Sequence, residues 1–265
     1  MPSNNTHTQS SMALLRQDSP APAWFLWLAF LGALRVAAFS FHLLAHLALC
    51  LRRPKDLRRR YGPWAVVTGP TAGIGRSVAL ELASRGLNLV LVDLDLGNLR
   101  EVSDTVRSRH AVQTKTVLFD LSLVSTAEDL GGAGPLDVGV LVNNAGVAKP
   151  GAVYLHEVAV EAWVRMIRVN LWALTEVTAA VLPGMVERGK GAIVNMGSAS
   201  SEVIPSFPLY TMYAATKRYV AQFSRSLHVE YRSKGIDVQC QVGVAGARGT
   251  WSMTGSRDEA WEKLR

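Results

Sequence analysis

Trp64-Ala65-Val66-Val67-Thr68-Gly69-Pro70-Thr71-Ala72-Gly73-Ile74-Gly75 is the stretch that decides how this chain folds. Residues 65–68 are a short apolar and β-branched run, as a strand requires. Glycines follow, and residues 75–85 read as a helix. A glycine-rich turn between strand and helix bends tightly and lets other groups approach the backbone. It also opens a helix N-terminus, where free N–H groups and the helix dipole favour an anion such as a pyrophosphate. Thr68, Gly69, Gly73, Ile74 and Gly75 are therefore the candidate cofactor-binding residues of this turn. The competing reading is a plain glycine-rich loop, and the strand–turn–helix context weighs against it.

The alternation continues outward from that turn. Strands are predicted at 88–93, 116–119, 138–143, 192–196 and 237–242. Helices are predicted at 99–109, at 161–188 (as one or two) and at 212–234. Such alternation implies an α/β fold, a doubly wound parallel sheet of Rossmann type with helices on both faces.

Asp93 ends the second strand, where a carboxylate either binds adenosine ribose hydroxyls or serves as a solvated or capping residue. A carboxylate at that place repels the extra phosphate of NADP, and Leu94 and Asp95 supply no cation, so these residues favour NAD. Asp120, after the third strand, either holds the adenine edge or caps a turn. Asn143-Asn144-Ala145-Gly146 ends the fourth strand. Its small residues allow close approach to a cofactor, and its paired amides are suited to holding the turn.

Tyr213 and Lys217 are four residues apart on a predicted helix and share one face. A phenol that donates a proton to a forming alkoxide has an ordinary pKa near ~10, and a neighbouring ammonium lowers it. Outside such a site, a Tyr and a Lys at this spacing are a surface pair. The strand at 192–196 runs into Gly197-Ser198-Ala199-Ser200-Ser201. A hydroxyl at the carboxyl end of a strand can polarise a substrate carbonyl, although loop serines are commonly turn formers.

The rest of the chain bounds location and partners. Of 265 residues, 49% are hydrophobic and 18% charged, which excludes a wholly disordered chain. Residues 1–21 are polar and expected to be disordered. Residues 22–51 are apolar, with Arg35 as the sole formal charge, and form a candidate transmembrane anchor. A cleaved signal peptide is disfavoured, because the run is long and starts late. Residues 52–61 are a basic juxtamembrane linker that carries much of the net charge of +7. A basic cluster there is a topology signal that places the following domain on the cytoplasmic side, and nucleic acid is not expected as a partner. The two cysteines, Cys50 and Cys240, have no metal-ligand spacing and form no disulfide framework.

Taken together, these segments resemble the short-chain dehydrogenase/reductase family over residues 62–242. The resemblance assigns Thr68, Gly69, Gly73 and Gly75 to the cofactor loop and Asn143, Ala145 and Gly146 to an Asn-Asn-Ala-Gly turn. It assigns Asn170 to the helix Asn that anchors a water relay, and Tyr213 and Lys217 to the general acid and its tuning partner. Ser198 fits the catalytic Ser by its place at the strand end, and Ser200 by its distance to Tyr213. Ser198 is preferred.

A narrower likeness, carried by Gly62-Pro63-Trp64-Ala65, Val181-Leu182-Pro183-Gly184-Met185 and residues 235–242, is to the plant very-long-chain 3-oxoacyl-CoA reductases of the endoplasmic-reticulum fatty-acid elongase. It implies NADPH, a very-long-chain acyl-CoA substrate and elongase partners, whereas Asp93 favours NADH. The alternatives are a membrane-bound 17β-hydroxysteroid-type dehydrogenase and an inactive isoform acting as a membrane partner. The second is motivated by residues 243–265, which read as an atypical tail with no further strand, as if the chain were truncated.

Overall fold

In a computed structural model, residues 22–50, 56–123, 136–202, 206–245 and 251–253 are described. The predictions for residues 1–21, for Arg52, Arg53 and Lys55, and for 254–265 lie outside them. The chain divides into two units, Met1–Arg53 and Pro54–Arg265.

The described part of the first unit is one helix, α1 (Ala23–Cys50). Its Ala23–Leu44 portion has a mean hydropathy of 1.7 and no buried residue, and it is long and apolar enough to cross a membrane.

The second unit begins with α2 (Leu57–Tyr61) and then alternates: β1 (Trp64–Thr68), α3 (Gly73–Ser84), β2 (Asn88–Asp93), α4 (Leu96–Arg109), β3 (Thr114–Leu118) and β4 (Val138–Asn143). After β4 come α5 (Val160–Ile167), α6 (Leu174–Arg188), β5 (Gly191–Ser198), α7 (Ala199–Glu202), α8 (Thr211–Tyr231), β6 (Ile236–Ala245) and β7 (Trp251–Met253). The strands form one sheet in the order β3-β2-β1-β4-β5-β6-β7. The pairs from β3 to β6 are parallel and β7 is antiparallel to β6.

The doubly wound sheet follows from the apolar runs. Every residue of β4 is buried, and β2 is buried up to Asp93, as expected for strands covered on both faces. One face packs Val67, Leu89, Leu91 and Val142 under α2, α3 and α4. The other packs Val66, Val90, Leu141 and Ile193 under α6 and α8. The predicted run 161–188 is two helices joined by a π-helical turn, Arg168–Ala173. Such a turn leaves apolar periodicity nearly unbroken, which is why one or two helices fitted the sequence equally well. The segment Val160–Arg188 is also long and apolar enough to cross a membrane, but its apolar side lies on the sheet.

Two expectations need correction. The linker 52–61 is in part a folded element: Leu57 and Tyr61 of α2 are 1% and 2% exposed and belong to the core. Asp56 caps α2 by accepting from the Arg59 backbone N–H at 3.0 Å. Tyr61 Oη donates to Asp237 at 2.6 Å, and Arg60 pairs with the same carboxylate at 3.0 Å. Burial, and then the hydrogen bond to Asp237, push the Tyr61 phenol well above its ordinary pKa. The basic side chains masked this element, because they suggested headgroup contact while the two apolar ones carry the packing.

The second correction concerns the end of the sheet. β6 continues to Ala245, and Trp251–Met253 pairs with it, so the edge of β6 carries a further strand. Three residues are too few to show a periodicity of two.

Candidate active site

β1 and β4 are adjacent in the sheet but separated in the chain by β2 and β3, so the strand order reverses between them. Crevices form at the carboxyl ends of strands at such a switch point. A cleft of about 470 Å³ lies there, with Gly69, Gly73 and Ile74 on one wall and Tyr213 and Lys217 on the other. Asp93, Asp120, Ala145 and Gly146 also line it.

The glycine turn is held by the turn after β4. Thr68 Oγ1 accepts from the backbone N–H groups of Asn144 and Ala145, both at 3.1 Å. Asn144 Nδ2 donates to the carbonyls of Thr68 at 3.1 Å and Gly69 at 2.8 Å. Gly69 has φ +64°, and a Cβ on it would lie 2.9 Å from the Ala145 Cα. A Cβ on Gly75 would fall on the Gly69 carbonyl oxygen and on Asn144 Nδ2. Both glycines are thus required by turn-to-turn packing. The N-terminus of α3 has no side-chain cap, and its first residues, Gly73 and Ile74, line the cleft. A phosphate group fits this arrangement.

Asp93 faces the cleft from the end of β2. It accepts from Thr71 Oγ1 at 2.6 Å and from the Leu94 N–H at 2.7 Å. Asp120 accepts from the Ser122 N–H at 2.9 Å, and that bond, with the Ser122 hydroxyl, holds its carboxyl below the ordinary carboxylate range. It both caps a turn and lines the cleft, so the two sequence readings of Asp120 are compatible.

On the opposite wall, β5 ends at Ser198 and α8 carries Tyr213 and Lys217. Ser198 is hydrogen-bonded to Tyr213. Ser200 Oγ donates to Ser198 Oγ at 2.9 Å, so the hydroxyl next to the phenol is Ser198, with Ser200 behind it. Burial raises the Tyr213 pKa, and the bond to Ser198 opposes that rise. Lys217 Nζ donates to the Met196 carbonyl at 2.8 Å and lies 5.8 Å from the Tyr213 ring centroid. Burial lowers its pKa to about 8.

The expected lowering of Tyr213 by Lys217 is therefore corrected. An ammonium that burial itself disfavours, bound to a carbonyl, does not offset the desolvation of the phenol.

Six predicted residues do not line the cleft: Ser198 and Ser200, which are buried beside Tyr213, and Thr68, Gly75, Asn143 and Asn170. Thr68 and Gly75 act through the turn packing. Asn143 is 4% exposed and points under the sheet's end, donating to Thr178 Oγ1 at 2.9 Å and Asn195 Oδ1 at 2.8 Å. Asn170, in the π-helical turn, accepts from the Val147 N–H at 2.7 Å and donates to the Val147 carbonyl and to Thr216 Oγ1, both at 3.0 Å. Sequence reasoning passed over Thr71, Arg165 and Gln241, which line the cleft. An isolated Thr, Arg or Gln carries no spacing signal. Asn144 was visible as the second amide of its motif.

A parallel sheet with a helix-capped turn at its switch point, facing a Ser–Tyr–Lys cluster, defines a nucleotide-dependent oxidoreductase architecture. Residues 63–252 match the short chain dehydrogenase family, and the chain belongs to it. It is 49% identical over 196 residues to a very-long-chain 3-oxoacyl-CoA reductase-like protein of Arabidopsis thaliana, covering 72% of this chain and 62% of that protein. It is 43% identical over 193 residues to the very-long-chain 3-oxoacyl-CoA reductase of Rattus norvegicus, covering 72% and 61%. The chain thus spans about three fifths of the length of these relatives. Among solved structures, a short-chain dehydrogenase from Sphingobium yanoikuyae in complex with NADPH superposes with a TM-score of 0.65 at 32% identity, covering 76% of this chain and 82% of that one.

Proposed function

We propose that this protein reduces the 3-keto group of very-long-chain 3-oxoacyl-CoA with a nicotinamide dinucleotide, as the names of its Arabidopsis and rat relatives suggest. The observation that carries the reading is the pair Tyr213 and Lys217 on the wall opposite the uncapped N-terminus of α3, with Ser198 buried beside Tyr213. The cofactor, when bound, supplies a hydride. The N-terminus of α3 and Gly73 would hold its phosphates, and Asp93 its adenosine ribose, an arrangement that would favour NADH. Ser198 donates a hydrogen bond to the substrate carbonyl. Tyr213 delivers the proton to the oxygen as negative charge develops there. Lys217, in the cleft beside Tyr213, would hold ribose hydroxyls of the cofactor. Asn170 supports proton resupply along this wall.

The apolar α1 supports attachment to the endoplasmic-reticulum membrane, with the second unit on the cytosolic side beside other elongase subunits. A substrate whose acyl chain lies in the bilayer accounts for an anchored catalytic unit.

The test uses the full chain in lipid nanodiscs with a C20 3-oxoacyl-CoA (a probe length) and either NADH or NADPH. The expected result is the 3-hydroxyacyl-CoA with stoichiometric loss of the 340 nm absorbance. Binding of a cofactor without turnover of 3-oxoacyl-CoA, but with oxidation of a steroid alcohol, would overturn the substrate assignment.

A further inference from the structure

A line of buried polar side chains runs beneath the site, between the sheet and its α6/α8 face. Asn143 on β4 and Asn195 on β5 are register partners. Asn143 Nδ2 donates to Asn195 Oδ1 at 2.8 Å and to Thr178 Oγ1 of α6 at 2.9 Å. Asn195 Nδ2 donates to Ser224 Oγ of α8 at 2.9 Å. The line ends on a helical carbonyl at each side: Thr178 Oγ1 donates to Leu174 O and Ser224 Oγ to Val220 O, both at 2.7 Å. Asn195 is 0% exposed, and Thr178, Ser224 and Asn143 are 2%, 3% and 4% exposed.

The mechanism above uses none of these contacts, yet they join the elements that carry it. Asn195 immediately precedes Met196, whose carbonyl receives Lys217 Nζ, and lies just upstream of Ser198. Ser224 is about two helical turns past Lys217 on α8. The rest of this face is packed by apolar side chains such as Ile193, Val238 and Leu227. Apolar contact is non-directional and tolerates a slide of a helix along a strand. A satisfied buried hydrogen bond does not tolerate it, because a slide would leave an amide or a hydroxyl without its partner.

We infer that Asn195 and Ser224 are positioning residues: their hydrogen bond fixes the register of α8 on β5, so that Lys217 meets the Met196 carbonyl and Tyr213 meets Ser198. The inference rests on the reductase reading for its kinetic consequence and on the geometry alone for its structural one.

The test compares Ser224→Ala with Ser224→Thr, which keeps the hydroxyl, and with Ser103→Ala as a control. Ser103 is equally buried and bonds Thr114 at 2.7 Å, but it joins α4 to β3, away from the cluster. Ser224→Ala is expected to lower kcat about tenfold, since small misplacement of reacting groups is costly. It should also displace the pH profile of kcat, with Ser224→Thr restoring both. Ser103→Ala should lower the melting temperature and leave the pH profile in place. A Ser224→Ala profile that overlays the wild type, or a Ser103→Ala profile that shifts as far, would overturn the assignment. Ser224→Cys, of similar volume but with a weaker acceptor, replaces the alanine variant if that one does not fold. Amide hydrogen exchange decides the matter independently of activity: residues 213–220 should exchange faster in Ser224→Ala than in wild type or Ser103→Ala. If the wild type reduces no ketone but this acceleration is seen, the function assignment fails and the positioning role stands. No acceleration ends the positioning role whatever the activity.

Discussion

The two walls of the cleft are built on different physics. On the glycine-turn wall the contact between the two turns involves no titrating group. Thr68, Gly69, Asn144 and Ala145 close on one another through backbone and amide hydrogen bonds, and Gly75 is required because any larger residue meets that contact. On the α8 wall two ionisable side chains are buried together, and burial works against the charged form of each, raising Tyr213 and lowering Lys217. The first wall is determined by shape. The second holds a proton inventory that its surroundings have shifted. Substitutions on the first should therefore act through packing and binding, and those on the second through protonation and turnover.

The largest effect expected from that contrast is at Tyr213. Tyr213→Phe removes the proton donor and keeps the ring in its apolar surroundings of Trp163 and Met166. Turnover should fall about a thousandfold, as for loss of a general acid, while NADH affinity by fluorescence titration changes little. Loss of cofactor binding in this variant would show that the two walls are not separable.

Lys217 carries the next largest effect. Its native pKa, about 8, lies below the ordinary 10.5, so in that interval the unfolded chain binds more protons than the native one. Stability therefore rises with pH from about 8 to about 10.5, and the cost of burying the ammonium is fully present below pH 8. Lys217→Met should remove that slope in urea unfolding of the full chain in detergent micelles. It should also stabilise the protein at pH 7 by on the order of 3 kcal/mol, less what the Met196 carbonyl loses with its donor. A slope that persists in Lys217→Met would place the titration elsewhere.

Gly75→Ala should act by the opposite route, with no pH signature. Its Cβ meets the Gly69 carbonyl and Asn144, so a loss of about 2 kcal/mol is expected from overpacking, together with weaker cofactor binding. Calorimetry and titration at pH 6 and pH 9 would check this, and a cost that changes with pH would contradict it.

The two walls also differed in how far the sequence disclosed them. The turn is written in consecutive residues, and its strand and helix flank it directly, so Gly69, Gly73 and Gly75 were legible as a unit. Tyr213 and Lys217 were legible because helix geometry makes a spacing of four a contact. Ser198 was preferred to Ser200 by its place at the strand end alone, since the order of hydroxyls there depends on how α7 leaves β5. The electrostatics were misread because the spacing places Lys217 near Tyr213 but does not reveal that Met196 takes its hydrogen bond. α2 was missed because five residues give too short a window, and because Leu57 and Tyr61 are separated by three arginines. Asn195 and Ser224 lie far apart in the chain, and no local pattern connects them.

Asp93 is the residue at which the two kinds of wall can be told apart most finely, with the smallest expected effect. It stands on the shape-determined side, yet it is a charge. Its carboxylate is oriented by Thr71 Oγ1 at 2.6 Å and the Leu94 N–H at 2.7 Å, and it lines the cleft. If ribose hydroxyls bind there, a 2′-phosphate meets the carboxylate, and the wild type should bind NADH about tenfold more tightly than NADPH, a modest charge discrimination for a partly solvated site. Asp93→Ser keeps an acceptor for the Thr71 hydroxyl and removes the charge, so the two affinities should converge. Titration of both variants with both cofactors measures this directly. A wild type that prefers NADPH, with the preference unchanged in Asp93→Ser, would mean that the carboxylate serves the turn through Thr71 and does not face the ribose, which would leave this wall governed by shape alone.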